Sequence, residues 1–69
     1  MNLKELRVKK GLTQKELSEL TTIDCATLSL YENGKRQPPL YKIILLASAL
    51  NVSTGEIVSC ILGDTANEF

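Results

Sequence analysis

The sequence predicts an all-α domain, and three observations carry that prediction. Apolar residues recur at three- and four-residue spacings in five separate segments. Residues that start or stop helices bound those segments: Thr13, Asp24, Pro38-Pro39, Gly11, Asn33-Gly34 and Asn51. No segment alternates apolar and polar residues as a half-buried strand does.

The first helix is expected over Asn2 to Lys10, with Leu3 and Leu6 inward and Gly11 as its stop. The second follows Thr13, which with Glu16 fits the T-x-x-E capping box. It turns Leu17 and Leu20 inward and ends near Thr21. Asp24 caps the third, Cys25 to about Glu32, with Leu28 and Tyr31 inward and Asn33-Gly34 ending it. The fourth opens at Pro38-Pro39, since proline suits a first helical turn. It carries Leu40, Ile43, Ile44, Leu46, Ala47 and Leu50, and Asn51 tolerates the left-handed stop. Ser53 or Thr54 caps the fifth, which holds Ile57, Val58, Ile61 and Leu62 before Gly63. These elements form one domain over residues 1–63, and the tail 64–69 is expected to fray.

Composition narrows the class. Sixty-nine residues have little core to spare, so good helix packing or subunit association is needed. An apolar fraction of 43% is too high for disorder. The longest apolar run, Ile43 to Ala47, is too short to span a bilayer, and the N-terminus lacks the apolar stretch of a secretory signal. A cytoplasmic protein without a membrane partner is expected. Cys25 and Cys60 are then free thiols, and two thiolates without histidine do not complete a zinc site, so no metal or cofactor is expected.

Net charge is zero, yet its distribution is uneven. Residues 1–42 hold all eight bases and five acids, a charge of +3; residues 43–69 hold three acids and no base. This places any nucleic-acid surface on the first half. Two short helices joined by a tight turn there can lay the second in a major groove of DNA, with Asn33 to Arg36 beside the phosphates.

Three motifs sharpen that reading: Gly11-Leu12-Thr13-Gln14-Lys15-Glu16-Leu17, Tyr31-Glu32-Asn33-Gly34-Lys35-Arg36-Gln37-Pro38, and Leu46-Ala47-Ser48-Ala49-Leu50-Asn51-Val52-Ser53. Residues 3 to 62 resemble the helix-turn-helix domain of the Cro and repressor type (XRE-like) found in lambdoid phage regulators and many small bacterial repressors. The resemblance implies a compact five-helix, lambda-repressor-like fold. Its function would be sequence-specific binding of double-stranded DNA, as a repressor on a palindromic operator.

The resemblance assigns roles to particular residues. Gln14 touches the DNA backbone and braces the reading helix, at a helix N-terminus suited to a phosphate. Within the reading helix, Cys25, Ala26, Ser29 and Leu30 reach base edges, and Thr27 angles to phosphate. That set is poor in the Arg, Lys, Asn and Gln that read purines; Ala26 and Leu30 suit thymine methyls instead. Leu30 also fits packing on a protein or on the core. Asn33, Lys35 and Arg36 contact backbone. Tyr41 either adds a hydroxyl to a phosphate or covers the core edge. Lys9, Lys10 and Lys15 supply diffuse field. Arg7 and Glu32 are expected to form an internal ion pair between the first and third helices.

Two positions depart from the family pattern. Thr22 stands where glycine is usual, because the residue after the second helix is left-handed; a β-branched residue there is strained. Leu45 replaces a residue that is often polar and points to an extra contact surface.

A single short reading helix binds weakly, so a two-fold homodimer is expected, with Ile57, Val58, Ile61 and Leu62 as its interface. The alternative is that two or three of these close the core of one subunit. The rival function is a protein-interaction module, antitoxin- or antirepressor-like, whose third helix meets a protein. An enzyme is not expected: there is no histidine, no nucleophile–base pair at a readable spacing and no glycine-rich phosphate loop. Cys25 at a helix N-terminus is the place where a thiol gains reactivity, and redox sensing is the chemistry it would allow.

Overall fold

The computed structural model describes residues 2–62, and every structural statement below concerns those residues. The tail 64–69, expected to fray, lies outside them. Five helices follow one another: α1 (Leu3–Lys9), α2 (Gln14–Thr21), α3 (Cys25–Glu32), α4 (Leu40–Leu50) and α5 (Thr54–Leu62). No strand occurs among the described residues.

Local chemistry explains the helix starts. Thr13 Oγ1 accepts the Glu16 amide at 3.0 Å, and the Thr13 amide donates to Glu16 Oε1 at 2.8 Å. Asn2 and Glu5 make the same reciprocal box on α1, at 2.8 and 3.1 Å. Asp24 Oδ2 accepts the Thr27 amide at 3.0 Å, and Ser53 Oγ accepts the Glu56 amide at 3.1 Å. Ser53, rather than Thr54, is thus the cap of α5. Helix α4 begins at Leu40, one residue later than the prolines alone predict. Pro39 is its extended N-cap and makes no side-chain capping bond.

The helix ends follow equally local rules. Gly34, at φ +71°, lets the Lys35 amide reach the Leu30 carbonyl (2.9 Å) and the Gly34 amide reach Tyr31 (3.3 Å). Those two bonds satisfy carbonyls that the end of α3 leaves open. Asn51 takes φ +57° at the end of α4. Thr22 also stands in the left-handed region, at φ +59° and ψ 16°, where a β-branched side chain is strained.

The core gathers Leu3, Leu6, Leu17, Ile23, Leu28, Tyr31, Leu46, Ala47, Leu50 and Ile57. Around it α4 packs on α5 and α2, α2 on α3, and α1 on α3 and α5. Ile23 anchors the α2–α3 turn. Thr21 beside it is buried, donating its hydroxyl to the Leu17 carbonyl (2.8 Å) and accepting the Ile23 amide (3.3 Å).

Leu20, expected to point inward, does not, and two of the apolar residues that α4 carries, Leu40 and Ile44, also lie outside the core. Leu20 is exposed because the inward row of α2 runs through Leu17 and Thr21, and Thr21 takes the place that apolarity alone gives to Leu20. Leu40 and Ile44 are exposed because the inward stripe of α4 is Ile43, Leu46, Ala47 and Leu50. A helix turns only one stripe toward a core, and α4 is apolar over a wider arc than that stripe.

Candidate nucleic-acid interface

A buried polar brace sets the angle between the first three helices. Arg7 Nε donates to Glu32 Oε2 at 2.8 Å, and the two side chains are only 10% and 5% exposed. A second Arg7 nitrogen donates to Glu32 Oε1 (3.4 Å), and a third to the Leu12 carbonyl (2.8 Å). Glu32 Oε1 also accepts from Gln14 Nε2 at 3.4 Å. The start of α2 and the end of α3 are therefore tied to one carboxylate, which is itself tied to α1.

This brace presents α3 as a regular helix with one face in the core and one outside. Leu28 and Tyr31 are buried. On a step of about 100° per residue, Cys25, Ala26, Ser29, Leu30 and Asn33 fall on the opposite arc, roughly 140° wide. Ala26 and Asn33 are exposed; Cys25, Ser29 and Leu30 are half-buried. Asn33 Nδ2 donates to Ser29 Oγ at 3.3 Å, so two polar members of this face are already linked.

Thr27 sits at one margin of the face. Its hydroxyl donates to Asp24 Oδ1 at 2.7 Å. A phosphate oxygen only accepts, so Thr27 can donate to one only by leaving Asp24. The Asp24 carboxyl is held below its usual value, first by the Thr27 hydroxyl and next by the Thr27 amide. Glu16 is likewise lowered, first by the Thr13 amide and then by the Thr13 hydroxyl.

Two further elements flank α3. The loop after it carries Lys35 and Arg36, both exposed, with the chain turned by Gly34 and re-anchored by buried Pro38. On the other side, the first intrahelical bond of α2 runs from the Leu17 amide to the Thr13 carbonyl, and the Thr13 hydroxyl takes the Glu16 amide. The amides of Gln14 and Lys15 are left facing outward at the positive end of the helix. Tyr41, whose role the sequence left open between core edge and phosphate, is 63% exposed. Lys42, to which the sequence assigned no role, lies 5.8 Å from the Tyr31 ring centroid and 5.9 Å from that of Tyr41. Aromatic residues at 31 and 41 are visible in the sequence, but only the packing of α4 on the domain brings them to one ammonium.

The α5 residues divide. Ile57 is fully buried in the core of its own chain, which corrects its assignment to a subunit interface. The helix that carries it, α5, packs on α4 and α1, and Ile57 belongs to the core they share. Val58 and Ile61 are half-buried, and Leu62 is 39% exposed. Cys25 and Cys60 are free and half-buried, and burial pushes the Cys60 thiol up. Among the described residues no three of His, Cys, Asp and Glu cluster as metal ligands. No single described helix is long and apolar enough to cross a membrane; α4 and α5 together have the length and composition but meet at a 111° bend.

Comparison with known proteins agrees with this geometry. A family model for the helix-turn-helix domain matches residues 3–57, from the start of α1 to the buried Ile57 of α5. The uncharacterized HTH-type transcriptional regulator y4dJ of Sinorhizobium fredii is 40% identical over 58 residues, covering 84% of this chain and 75% of that protein. The HTH-type transcriptional regulator ImmR of Bacillus subtilis is 44% identical over 52 residues, covering 75% of this chain and 41% of that protein. A third relative, the SPbeta prophage-derived uncharacterized HTH-type transcriptional regulator YopO of Bacillus subtilis, is 39% identical over 56 residues, 81% of this chain and 80% of its own length. No solved structure gives a significant match. The braced α2–turn–α3 unit and the matched span together place this chain in the helix-turn-helix family, of the XRE type to which its three motifs pointed.

Proposed function

We propose that this chain is a sequence-specific transcriptional repressor that binds a palindromic operator as a two-fold dimer. The observation that carries the reading is α3 itself. Its outward face, with Ala26, Ser29 and Leu30, is held rigid from behind by Leu28, Tyr31 and the Arg7–Glu32 brace. Such a helix enters a major groove while the flanking groups hold phosphates. The names of the three relatives, all transcriptional regulators, support the same class.

In this reading Ala26 and Leu30 meet thymine methyls, Ser29 offers one hydroxyl, and Cys25 lines the entry to the groove. Gln14, Asn33, Lys35 and Arg36 grip the backbone, Tyr41 adds a hydroxyl, and Thr27 joins them on release from Asp24. Weak base readout makes the dimer necessary, and Val58, Ile61 and Leu62 are its proposed contacts. Selection of bound sequences from random duplex DNA tests the whole proposal. Enrichment of a palindrome with half-sites about one helical turn apart supports it; recovery of unselected sequence refutes it.

Leu30 and the scarcity of purine-reading groups favour one alternative, an α3 that docks on a protein. Salt separates the two. Phosphate contacts weaken steeply as salt rises, whereas an apolar protein contact does not.

A further inference from the structure

The small hydroxyls around the turn and α3 differ in how their protons are used. Thr21 gives its proton to the Leu17 carbonyl at 2.8 Å, and Thr27 gives its own to Asp24 Oδ1 at 2.7 Å. Ser29 does the reverse. Its Oγ accepts from Asn33 Nδ2 at 3.3 Å, and among the described residues no acceptor takes its proton. A serine hydroxyl has one donor and two lone pairs, so accepting from Asn33 leaves the donor for a partner. Accepting also polarises the O–H, which strengthens what it donates. A second bond joins the same two residues, from the Asn33 amide to the Ser29 carbonyl at 3.0 Å, and fixes their spacing.

The surroundings of that donor are apolar. Ala26 lies three residues before Ser29 and four before Leu30, so the three side chains share one patch of the outward face. Ala26 is exposed, and Ser29 and Leu30 are half-buried. A hydroxyl donor beside methyl-sized apolar surface complements one base edge of the major groove. Thymine sets its O4 acceptor next to its C5 methyl, whereas cytosine presents an N4 donor there and no methyl. Purine edges offer acceptors but no methyl for Ala26 to cover.

We propose that Ser29 donates to O4 of a thymine whose methyl lies against Ala26, and that Asn33 is the positioning residue that keeps the Ser29 proton free for it. The inference rests on the DNA-binding reading above and deepens it by naming the base and the atom that the hydroxyl reads. Asn33 Nδ2 carries two hydrogens: one holds Ser29, and the other serves a phosphate. Asn33 thus joins the backbone grip to the readout of one base.

Base analogues in a duplex selected from random sequence by the full chain test it. Each thymine of the half-site is replaced in turn by deoxyuridine, which keeps O4 and loses the methyl, or by 5-methylcytosine opposite guanine, which keeps the methyl and turns O4 into a donor. At one thymine, 5-methylcytosine is expected to weaken wild-type binding roughly 3- to 10-fold, the worth of one hydrogen bond. Ser29→Ala is expected to abolish that penalty while keeping the deoxyuridine penalty at the same base. Asn33→Asp, of equal size but an acceptor, takes the Ser29 proton and is expected to shrink the 5-methylcytosine penalty. Its added charge lowers affinity for every duplex alike, so the ratio between the two bases is the readout. Circular dichroism checks folding, and Ser29→Cys, a weak donor, carries the test if the alanine variant does not fold. No thymine sensitive to 5-methylcytosine, or a folded Ser29→Ala or Ser29→Cys protein with the full penalty, overturns the proposal. A full penalty in Asn33→Asp overturns the positioning role of Asn33. Selection that enriches no sequence is a separate failure, that of the DNA reading itself.

Discussion

Arg7→Ala tests the brace on which the orientation of α3 depends. The substitution leaves Glu32, with a side chain only 5% exposed, without its closest cation. It also removes the donor to the Leu12 carbonyl. Breaking a buried pair by deleting one member costs about 3–5 kcal/mol. A domain of 69 residues has a total stability of roughly 3–10 kcal/mol, at about 0.05–0.15 kcal/mol per residue. The single variant is therefore expected to be marginally folded or unfolded at 25 °C. Urea denaturation followed by circular dichroism is the assay; at about 1 kcal/mol per molar the midpoint should fall by about 3–5 M. Arg7→Met combined with Glu32→Leu is expected to recover most of the loss, because removing both charges leaves none stranded. A single-variant midpoint within about 0.5 M of wild type would mean that water reaches Glu32 freely. A double variant as unstable as the single one would mean that packing, not charge, is what Arg7 supplies.

Other predictions concern the turn, the caps, the loop and the subunit contact. Thr22→Gly is expected to stabilise the domain by about 1 kcal/mol by relieving the left-handed strain, raising the melting temperature by about 4–8 °C in calorimetry; a lower melting temperature would contradict it. Asp24 and Glu16 have folded values below their unfolded ones, so their contribution is present above the ordinary carboxylate range and is lost as pH falls through the depressed values. Asp24→Asn, which keeps the cap, should flatten that acid limb in denaturation profiles; an unchanged limb would show that other carboxylates set it. Arg36→Ala is expected to reduce the salt slope of duplex binding by about one without altering site preference in competition assays. Leu62→Ser is expected to shift a dimer toward monomer in light scattering; an intact dimer would move the interface elsewhere.

Local signals in the sequence were legible one element at a time. Thr13 with Glu16, Asp24 before Cys25, and Gly34 after Asn33 each act on amides or carbonyls within four residues, so neighbours in sequence suffice to read them. The left-handed Thr22 and the Arg7–Glu32 pair came from the resemblance, since they depend on a turn and on a 25-residue separation that propensity does not encode. Burial was read less well. Leu20, Leu40 and Ile44 are apolar and exposed, whereas Thr21 is polar and buried, its hydroxyl satisfied by the turn it stabilises. Lys42 looked like one more surface base until α4 set it over a ring from α3.

By itself the chain's order of residues determined where helices begin and end, because capping and left-handed stops are contacts between near neighbours. The spacing of Leu28 and Tyr31 also fixed the inward side of the third helix, while its role as the reading helix came from the resemblance. Tertiary structure alone decided which apolar stripe of α4 enters the core, that Ile57 closes one chain rather than joining two, and that Lys42 meets two tyrosines. Those outcomes depend on how helices distant in sequence compete for one small volume, and no local pattern contains that competition.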